Sequence, residues 1–252
     1  MKPSDSLVHD CINENHKTLA KEKWITTTMV ILKMRTKNMY LELLARRSDI
    51  IFMQEHWIHC WGKREIEDFM NILDFKSHIK CFDDNILMDP LERRRGQAGV
   101  AICYNKNIAN LVDKLPDGGN RVVAIRINTE KPIVIICVYL PTRGHKITKD
   151  DYIMVLDELA EIVTKYSNSS DILIGGDGNG SIHRRKIISR DIDFQKFLME
   201  LSLKIPAMCP VQSTLYQFNN RDESQNRLFC RKCGNGGKMH NIPEGVFKHV
   251  KS

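Results

Sequence analysis

The most constraining stretch of the sequence runs from Asp171 to Gly180 and reads Asp-Ile-Leu-Ile-Gly-Gly-Asp-Gly-Asn-Gly. Its apolar residues predict a short buried strand, and two glycines then open the backbone before Asp177 and Asn179. Alternate residues of an extended segment point to the same side, so these two polar side chains can face one pocket. Such a site suits a hard divalent cation and a phosphate. The alternative is an Asp-Gly-Asn-Gly turn that closes a hairpin.

A second stretch, from Asp49 to Glu55, repeats this plan: an acid, an apolar strand and a carboxylate at the end of the strand. Two such strands can run side by side and bring Glu55 and Asp177 to the same sheet edge. In mixed helix–strand proteins, ligands bind at the carboxyl ends of the strands. The repetition favours a ligand site over two unrelated turns.

Length and charge narrow the class of protein. The 252 residues suffice for one sizeable core, and the hydrophobic content of 42% and charged content of 27% are typical of a soluble globular protein. The net charge of +7 and the isoelectric point near 8.9 favour an anionic partner, nucleic acid first and a membrane surface second.

The N-terminal composition, the apolar runs and the cysteines all bear on where the protein is located. Residues 1–23 are polar and charged and do not resemble a signal peptide. The longest apolar run, Ile133 to Leu140, lies between two prolines and is too short to span a bilayer. The eight cysteines are scattered, and several lie inside apolar strands, as is usual for free thiols. We therefore expect an intracellular protein, nuclear or cytoplasmic, that is not secreted and does not bind a membrane; its oligomeric state stays open.

Apolar strands alternate with amphipathic helices through most of the chain. Strands are predicted at 24–32, 49–55, 99–104, 122–127, 133–140 and 171–176, and helices at 38–47, 62–73, 150–166 and 191–202. A polar loop is predicted at 77–98, and a poorly packed tail from Arg231 onward. This order predicts an α/β protein in which two packed sheets bury the strands and helices flank them.

Two small clusters contain residue types that can bind zinc. His56, His59 and Cys60 have the residue types of a zinc site, but no fourth ligand is nearby, which favours a packed loop. The pair Cys230 and Cys233 is half of a zinc knuckle, and without a second pair an unrelated tail is the favoured interpretation.

A basic run of His183, Arg184 and Arg185 follows the Asp177 loop. Basic side chains beside a phosphate pocket would neutralise a nucleic-acid backbone. Ordinary surface charge is the alternative.

Four short motifs follow one another along the chain: Gln54-Glu55-His56-Trp57, Gly99-Val100-Ala101-Ile102, Val138-Tyr139-Leu140-Pro141 and Gly176-Asp177-Gly178-Asn179. Together they resemble the endonuclease/exonuclease/phosphatase superfamily, which has the DNase I-like fold. The likeness is strongest to the endonuclease domain that precedes reverse transcriptase in non-LTR retrotransposons, and the segment 210–225 also resembles that branch. The resemblance covers residues 24–229. From their composition, we expect residues 1–23 to be a polar lead-in and residues 230–252 to be a basic, glycine-rich tail.

The resemblance implies hydrolysis of a DNA phosphodiester by metal-activated water, with Mg²⁺ or Mn²⁺ as cofactor. Glu55 matches the glutamate that binds the metal, and Tyr139 matches a tyrosine whose hydroxyl approaches the scissile phosphate. Asp177 and Asn179 match the pair that positions or deprotonates the attacking water and holds the phosphate oxygens.

The sequence also departs from the family pattern. No asparagine occurs in 24–32, where the family has one near the position of Val30, and Gly178 replaces a phenylalanine. Arg227 occupies the place of an acid in a late Ser-Gln-Ile-Asp-Tyr motif, and the closing Ser-Asp-His motif has no counterpart.

These departures predict a sandwich truncated at its C-terminus, with an exposed sheet edge. Since residues of such a site act as a unit, a catalytically inactive remnant that binds nucleic acid is the alternative to an endonuclease. A phosphatase of the same fold is third.

Overall fold

Strands and helices follow one another along the chain largely as the hydrophobic pattern predicts. The structure, a computed structural model, describes the backbone of residues 27–31, 38–84, 98–142, 148–180, 187–204, 215–216, 223–224 and 227–232. Side chains are described for residues 41–84, 98–142, 148–180 and 187–204. The predicted lead-in at 1–23 and the residues from 233 onward lie outside these ranges.

The described elements have the following bounds. The strands are β1 (Thr27–Ile31), β2 (Ile50–Gln54), β3 (Phe75–Lys80), β4 (Val100–Asn105), β5 (Val112–Lys114), β6 (Val122–Ile127), β7 (Ile133–Tyr139), β8 (Asp171–Asp177), β9 (Leu215–Tyr216), β10 (Glu223–Ser224) and β11 (Arg227–Lys232). The helices are α1 (Asn38–Ala45), α2 (Lys63–Ile72), α3 (Lys149–Tyr166) and α4 (Ser189–Glu200), and short 3₁₀ turns span Cys60–Gly62 and Lys106–Leu111. No helix in the described ranges is long and apolar enough to cross a membrane.

The main strands form two sheets. The first has the order β1-β2-β4-β3 and the second has the order β11-β8-β7-β6-β5. The pairs β1–β2 and β7–β8 are parallel, and the other neighbours in both sheets are antiparallel. The predicted α/β sandwich of two sheets with flanking helices is confirmed.

Three apolar layers hold the sandwich together. Side chains of a strand alternate between its two faces, and β7 shows the division: residues 135, 137 and 139 pack between the sheets, whereas residues 134, 136 and 138 pack against α3 and α4. On β2, Phe52 faces the layer between the sheets and Met53 faces the layer beneath α1 and α2. Burial of one such side chain contributes about 1.5–3 kcal/mol.

Helix α3 begins with a capping box. The Thr148 hydroxyl accepts a hydrogen bond from the Asp151 backbone N–H at 3.2 Å, and the Asp151 carboxylate accepts one from the Thr148 backbone N–H at 2.7 Å. These bonds satisfy amide groups that have no partner within the helix. Tyr152, Leu156 and Val163 on its buried face join the core, as their spacing predicts.

The predicted loop at 77–98 is wrong in its first part, because residues 75–80 form strand β3. Phe75, Ser77 and Ile79 are buried and alternate with exposed or half-buried neighbours, which is the period of a strand with one solvated face. Since β3 is an edge strand that carries lysines on its outer face, its composition resembles that of a loop. Residues 85–97 of the predicted loop lie outside the described part of the chain.

The C-terminal region adds an edge strand to the second sheet. Strand β11 pairs with β8 in antiparallel register from Arg227 opposite Asp177 to Lys232 opposite Ile172. It therefore covers the outer edge of β8 and runs across the predicted boundary between residues 229 and 230. Arg231 and Lys232, expected to begin the poorly packed tail, belong to this strand.

Two histidines that the fold holds neutral predict acid-sensitive stability. Burial lowers the pKa of His56 and that of His78 from 6.5 to about 4. Because both histidines titrate near pH 6.5 in the unfolded chain, their contribution to stability is fully present above that pH and is lost as the pH falls toward 4. We expect the free energy of unfolding, measured in urea at a series of pH values, to fall across this window with a slope approaching ~2.7 kcal/mol per pH unit.

A His78→Asn variant, which keeps His56, is the control for this prediction. It is expected to show about half of the slope, because one of the two protons is no longer taken up on unfolding. A slope equal to that of the original chain would contradict the assignment.

Candidate active site at the strand ends

Glu55 follows β2 in a backbone conformation that glutamate rarely adopts. Its φ is +51°, and that of Trp57 is +53°, so two non-glycine residues lie in the left-handed region on either side of His56. Such residues cost about 1–3 kcal/mol each, persist only where their surroundings hold them, and cluster at functional sites. Here the Trp57 backbone N–H donates to the Ala98 carbonyl at 3.2 Å and ties the turn to the residues before β4.

His56 is the internal support of this turn. Its Nδ1 accepts a hydrogen bond from the Ile58 N–H at 3.2 Å, so the proton is on Nε2, which donates to the Lys80 carbonyl at 3.2 Å. Gly99, with φ of +88°, lies against the ring: a Cβ there would be 2.4 Å from His56 Cε1. Both ring nitrogens are thus occupied, and the ring is packed among protein groups. His56 is therefore a packed residue of this loop, with both ring nitrogens engaged by the backbone.

Tyr139, the last residue of β7, connects the second sheet to Glu55. Its hydroxyl donates a hydrogen bond to Glu55 Oε1, although the two residues are 84 positions apart in the sequence. Burial, together with the hydrogen bond and negative charge of Glu55, raises the pKa of Tyr139 above its ordinary value. The hydroxyl is therefore protonated and remains a donor across the neutral pH range.

Arg121 lies beside this pair. Its guanidinium carbon is 5.2 Å from the centroid of the Tyr139 ring, and its backbone carbonyl accepts from the Tyr139 N–H at 2.8 Å. Burial lowers the pKa of Arg121, and the nearby Tyr139, Glu55 and Asp151 oppose that effect. Its Nη1 is buried and has no hydrogen-bond acceptor within the described residues. Buried donors are nearly always paired, so this nitrogen is an unsatisfied donor among the described residues.

Asp177 and Asn179 lie at the end of the neighbouring strand. Asp177 pairs in parallel register with Tyr139, and its Oδ1 accepts a hydrogen bond from the Asn179 backbone N–H at 3.1 Å. The Asn179 Nδ2 donates to the Leu140 carbonyl at 2.6 Å, which turns the amide oxygen away from Leu140. Gly176 makes this approach possible: its φ is +154°, and a Cβ there would lie 1.9 Å from the Val138 carbonyl oxygen.

The helices outside the second sheet brace both loops. The Tyr152 hydroxyl donates to the Gly178 carbonyl at 3.0 Å, and the Arg190 guanidinium donates to the Pro141 carbonyl at 2.9 Å. Arg190 also lies over the Tyr152 ring at 5.0 Å from its centroid, and both side chains are buried. The loops after β7 and β8 are thereby attached to α3 and α4 through groups that solvent does not reach.

Comparison with known proteins agrees with this architecture. No protein-family model and no curated protein sequence matches the chain, but solved structures do. The endonuclease domain of TRAS1, a telomere-specific non-LTR retrotransposon, is 16% identical with a TM-score of 0.54 over 82% of this chain and 84% of that one. An AP endonuclease from Archaeoglobus fulgidus is 15% identical with a TM-score of 0.56 over 81% and 84%. The 3′ phosphatase NExo from Neisseria, bound to a product DNA hairpin, is 13% identical with a TM-score of 0.60 over 82% and 86%.

The chain has the DNase I-like fold. In this DNase I-like sandwich, the ends of β2, β7 and β8 meet at one rim. Of the predicted site residues, Glu55 and Tyr139 are in direct contact, Asp177 is in register with Tyr139, and Asn179 is fastened to the loop after β7. Their roles in catalysis stay predictions. The predicted nucleic-acid-binding residues His183, Arg184 and Arg185 lie outside the described part of the chain.

The chemistry of this rim suits Mg²⁺ better than a structural zinc ion. Mg²⁺ prefers oxygen ligands and is commonly held by one or two carboxylates together with waters and substrate phosphates. Glu55 and Asp177 supply carboxylate oxygens at the rim. The described residues contain no group of three or more histidine, cysteine, aspartate or glutamate side chains that would enclose a metal by themselves.

The sequence did not predict a role for Arg121 at the site. It also did not predict that Tyr152 and Arg190 hold the loops of the site. Arg121 follows a Gly-Gly-Asn turn and precedes a strand, a pattern that gives no sign of function. Only the register of β6 with β7, in which Val122 pairs with Val138, brings it beside Tyr139.

Removal of the Tyr152 hydroxyl tests the brace. Tyr152→Phe keeps the aromatic ring and leaves the Gly178 carbonyl without its donor, and an unsatisfied buried acceptor costs about 1–3 kcal/mol. We expect the free energy of unfolding in urea to fall by that amount and amide hydrogen exchange at residues 178–180 to become faster. Tyr104→Phe, at a buried tyrosine in β4, is the control. Equal changes in the two variants would contradict a specific role for Tyr152.

Proposed function

We propose that the chain is a Mg²⁺-dependent phosphodiesterase of the DNA endonuclease type and of retrotransposon origin. The observation that carries this proposal is the hydrogen bond from the Tyr139 hydroxyl to the Glu55 carboxylate across the two sheets, with Asp177 in register on the next strand. Three groups from distant parts of the chain converge at one rim, and two of them, Glu55 and the Asp177–Asn179 turn, lie in or next to left-handed backbone.

DNA is the proposed substrate. The net charge of +7 favours a polyanion. Two of the similar structures are endonucleases or endonuclease domains, and a third is bound to a DNA hairpin. The similarity to TRAS1 supports the retrotransposon origin that the sequence motifs suggest.

Each residue has a distinct proposed role in hydrolysis. Asp177, whose Oδ1 is held by the Asn179 N–H, accepts the proton of the attacking water. The Asn179 amide, fixed by its bond to the Leu140 carbonyl, orients that water and a phosphate oxygen. Tyr139 holds the Glu55 carboxylate in one orientation, and Glu55 holds the metal. When bound, Mg²⁺ supplies Lewis-acid stabilisation of the charge that develops on the phosphate.

Arg121 supplies a fixed positive charge to the same phosphate. Its buried Nη1 lacks an acceptor within the described residues, and a guanidinium is suited to phosphate oxygens. A donor that is already oriented and desolvated strengthens its bond to the transition state without reorganisation. Arg121 therefore joins the set that the family motifs define.

A second candidate function is retention of nucleic acid without turnover. Strand β11 places Arg227 in backbone register with Asp177, at a position where the family motif has an acid. Loss of members of a catalytic unit reduces the rate by orders of magnitude while the charge that binds DNA is kept.

Nicking of supercoiled plasmid, with Mg²⁺ and with EDTA, tests the proposed function. We expect Mg²⁺-dependent nicking that Glu55→Gln reduces by at least ~100-fold, because the variant loses the charged metal ligand. Glu67→Gln, at a half-buried glutamate on α2, is the matched control and is expected to retain activity. Nicking that persists in EDTA or in Glu55→Gln would contradict the proposal. Salt-sensitive binding of DNA without any nicking would support the second candidate instead.

The role of Arg121 has its own test. Arg121→Met is expected to lower kcat/KM for nicking by about 10- to 100-fold and to reduce the dependence of log Kd on log salt concentration by about one unit, because one phosphate contact is lost. Arg126→Met, on the strand that follows Arg121, is the control, since Arg126 is paired with Asp113 at 3.0 Å. A loss of affinity in both variants to the same extent would contradict a specific contact of Arg121.

A further inference from the structure

Trp61 presents a supported aromatic surface to solvent. It lies in the 3₁₀ turn Cys60–Gly62 and is 58% exposed, whereas a side chain of this size is ordinarily well buried. Single exposed apolar residues are common and need no explanation. Trp61 differs because its ring is held from behind: it stacks on the His59 imidazole with centroids 4.2 Å apart and planes inclined by 8°.

The His59 ring is itself fixed from two sides. The Phe82 ring meets it edge-on, with centroids 6.2 Å apart, and His59 Nδ1 is 3.4 Å from the buried Asp83 carboxylate. The same carboxylate accepts from the Cys60 backbone N–H at 2.8 Å. Burial acts to raise the pKa of Asp83, but the hydrogen bonds from Cys60 outweigh it and keep the pKa below its ordinary value. The stack is thus anchored to a charged, buried group, and Trp61 is 58% exposed at its outer end.

This stack lies at the same end of the sandwich as Glu55. Residues 56–62 follow Glu55 directly, and the turn that carries Phe82 and Asp83 follows β3, whose last residue Lys80 pairs with Val100, the partner of Gln54. The Asn120 side chain donates to the Phe82 carbonyl at 3.4 Å, which joins this turn to the residue that precedes Arg121.

The neighbouring residues suit a nucleic acid. Lys63 and Arg64, together with Glu65, form the first turn of α2, which begins two residues after Trp61. Two positive side chains and the amino end of a helix therefore follow the aromatic residue in the chain, and Arg64 lies 3.7 Å from Asp68. A flat aromatic face beside cations is the arrangement with which proteins bind single-stranded nucleic acid, because every base offers a π-face. Bases within an intact duplex are already stacked and offer no such face.

We propose that Trp61, supported by His59, is a stacking platform for an unpaired base of a nucleic-acid substrate. The proposal rests on the proposed function for the class of ligand. It goes beyond that function because it assigns a preference for DNA in which a base next to the cleavage site is unpaired or splayed from the helix. An exposed tryptophan that binds another protein would show no such preference.

Binding of dye-labelled oligonucleotides tests the platform. Two probes are used in EDTA at one salt concentration: a short duplex, and the same duplex with a three-nucleotide bulge. The original chain is expected to bind the bulged probe more tightly. Trp61→Ala is expected to weaken binding of the bulged probe by roughly 5- to 150-fold and to leave binding of the intact duplex unchanged. Trp61→Phe, which keeps an aromatic face, is expected to retain most of the preference.

Ile72→Ala is the matched control, because Ile72 is an exposed apolar residue of α2, 77% accessible to solvent. It is expected to change neither affinity. Quenching of tryptophan fluorescence by the bulged probe gives a second readout that a merely structural role would not move. The quenching is expected in the original chain and is expected to be reduced in Trp61→Phe.

The outcomes separate this proposal from the proposed function. Equal affinity of the original chain for the two probes, or an equal loss on both probes in Trp61→Ala, would overturn the platform even if plasmid nicking is intact. A bulge preference that depends on Trp61 in a chain that does not nick plasmid would uphold the platform and count against the enzyme.

Discussion

The apolar layer between the two sheets determines where the candidate catalytic groups meet. Phe52 on β2 and Cys137 on β7 pack in or beside this layer, so the two strands are held at a fixed separation and register. The Gln54 amide crosses from one sheet to the other and donates to Cys137 Sγ at 3.3 Å, directly before Glu55. Tyr139, two residues after Cys137, spans the same gap and reaches Glu55, the residue after Gln54. A shift of either strand by one residue would turn these side chains to the opposite face.

The two loops beyond this layer contain strained backbone that buried side chains hold in place. Glu55 and Asn179 lie in the left-handed region, where side chains of L-residues are strained. Each loop is held by buried groups with few alternative positions: His56 against Gly99 beneath the first, and Tyr152 with Arg190 beneath the second. Interactions in the core therefore offset local backbone strain and keep polar groups oriented before any ligand binds.

Much of this arrangement was predictable from the sequence, for reasons that are local. Apolar runs in the sequence predict the strands at 50–54, 133–139 and 171–177. The predicted site residues Glu55, Tyr139 and Asp177 each lie at the end of such a run or directly after it. Strand β3 was missed because one face of an edge strand is polar, so its alternating pattern resembles a loop. Arg121 was missed because its position depends on the pairing of β6 with β7, a contact between distant residues that no local pattern encodes. The support that His56 gives to its loop likewise depends on Gly99, 43 positions later in the sequence.

The central proposal is that the ends of β2, β7 and β8 form one metal-binding rim. Titration of isotope-labelled protein with Mn²⁺, followed by the broadening of amide NMR signals, tests it most directly, since paramagnetic broadening reports proximity to the ion. The account predicts that signals around Glu55, Tyr139 and Asp177 broaden first and together. Excess Mg²⁺ is expected to reverse this broadening, and the Glu55→Gln variant is expected not to show it. Broadening centred on the acidic residues of α2 instead, or no broadening at this rim, would contradict it.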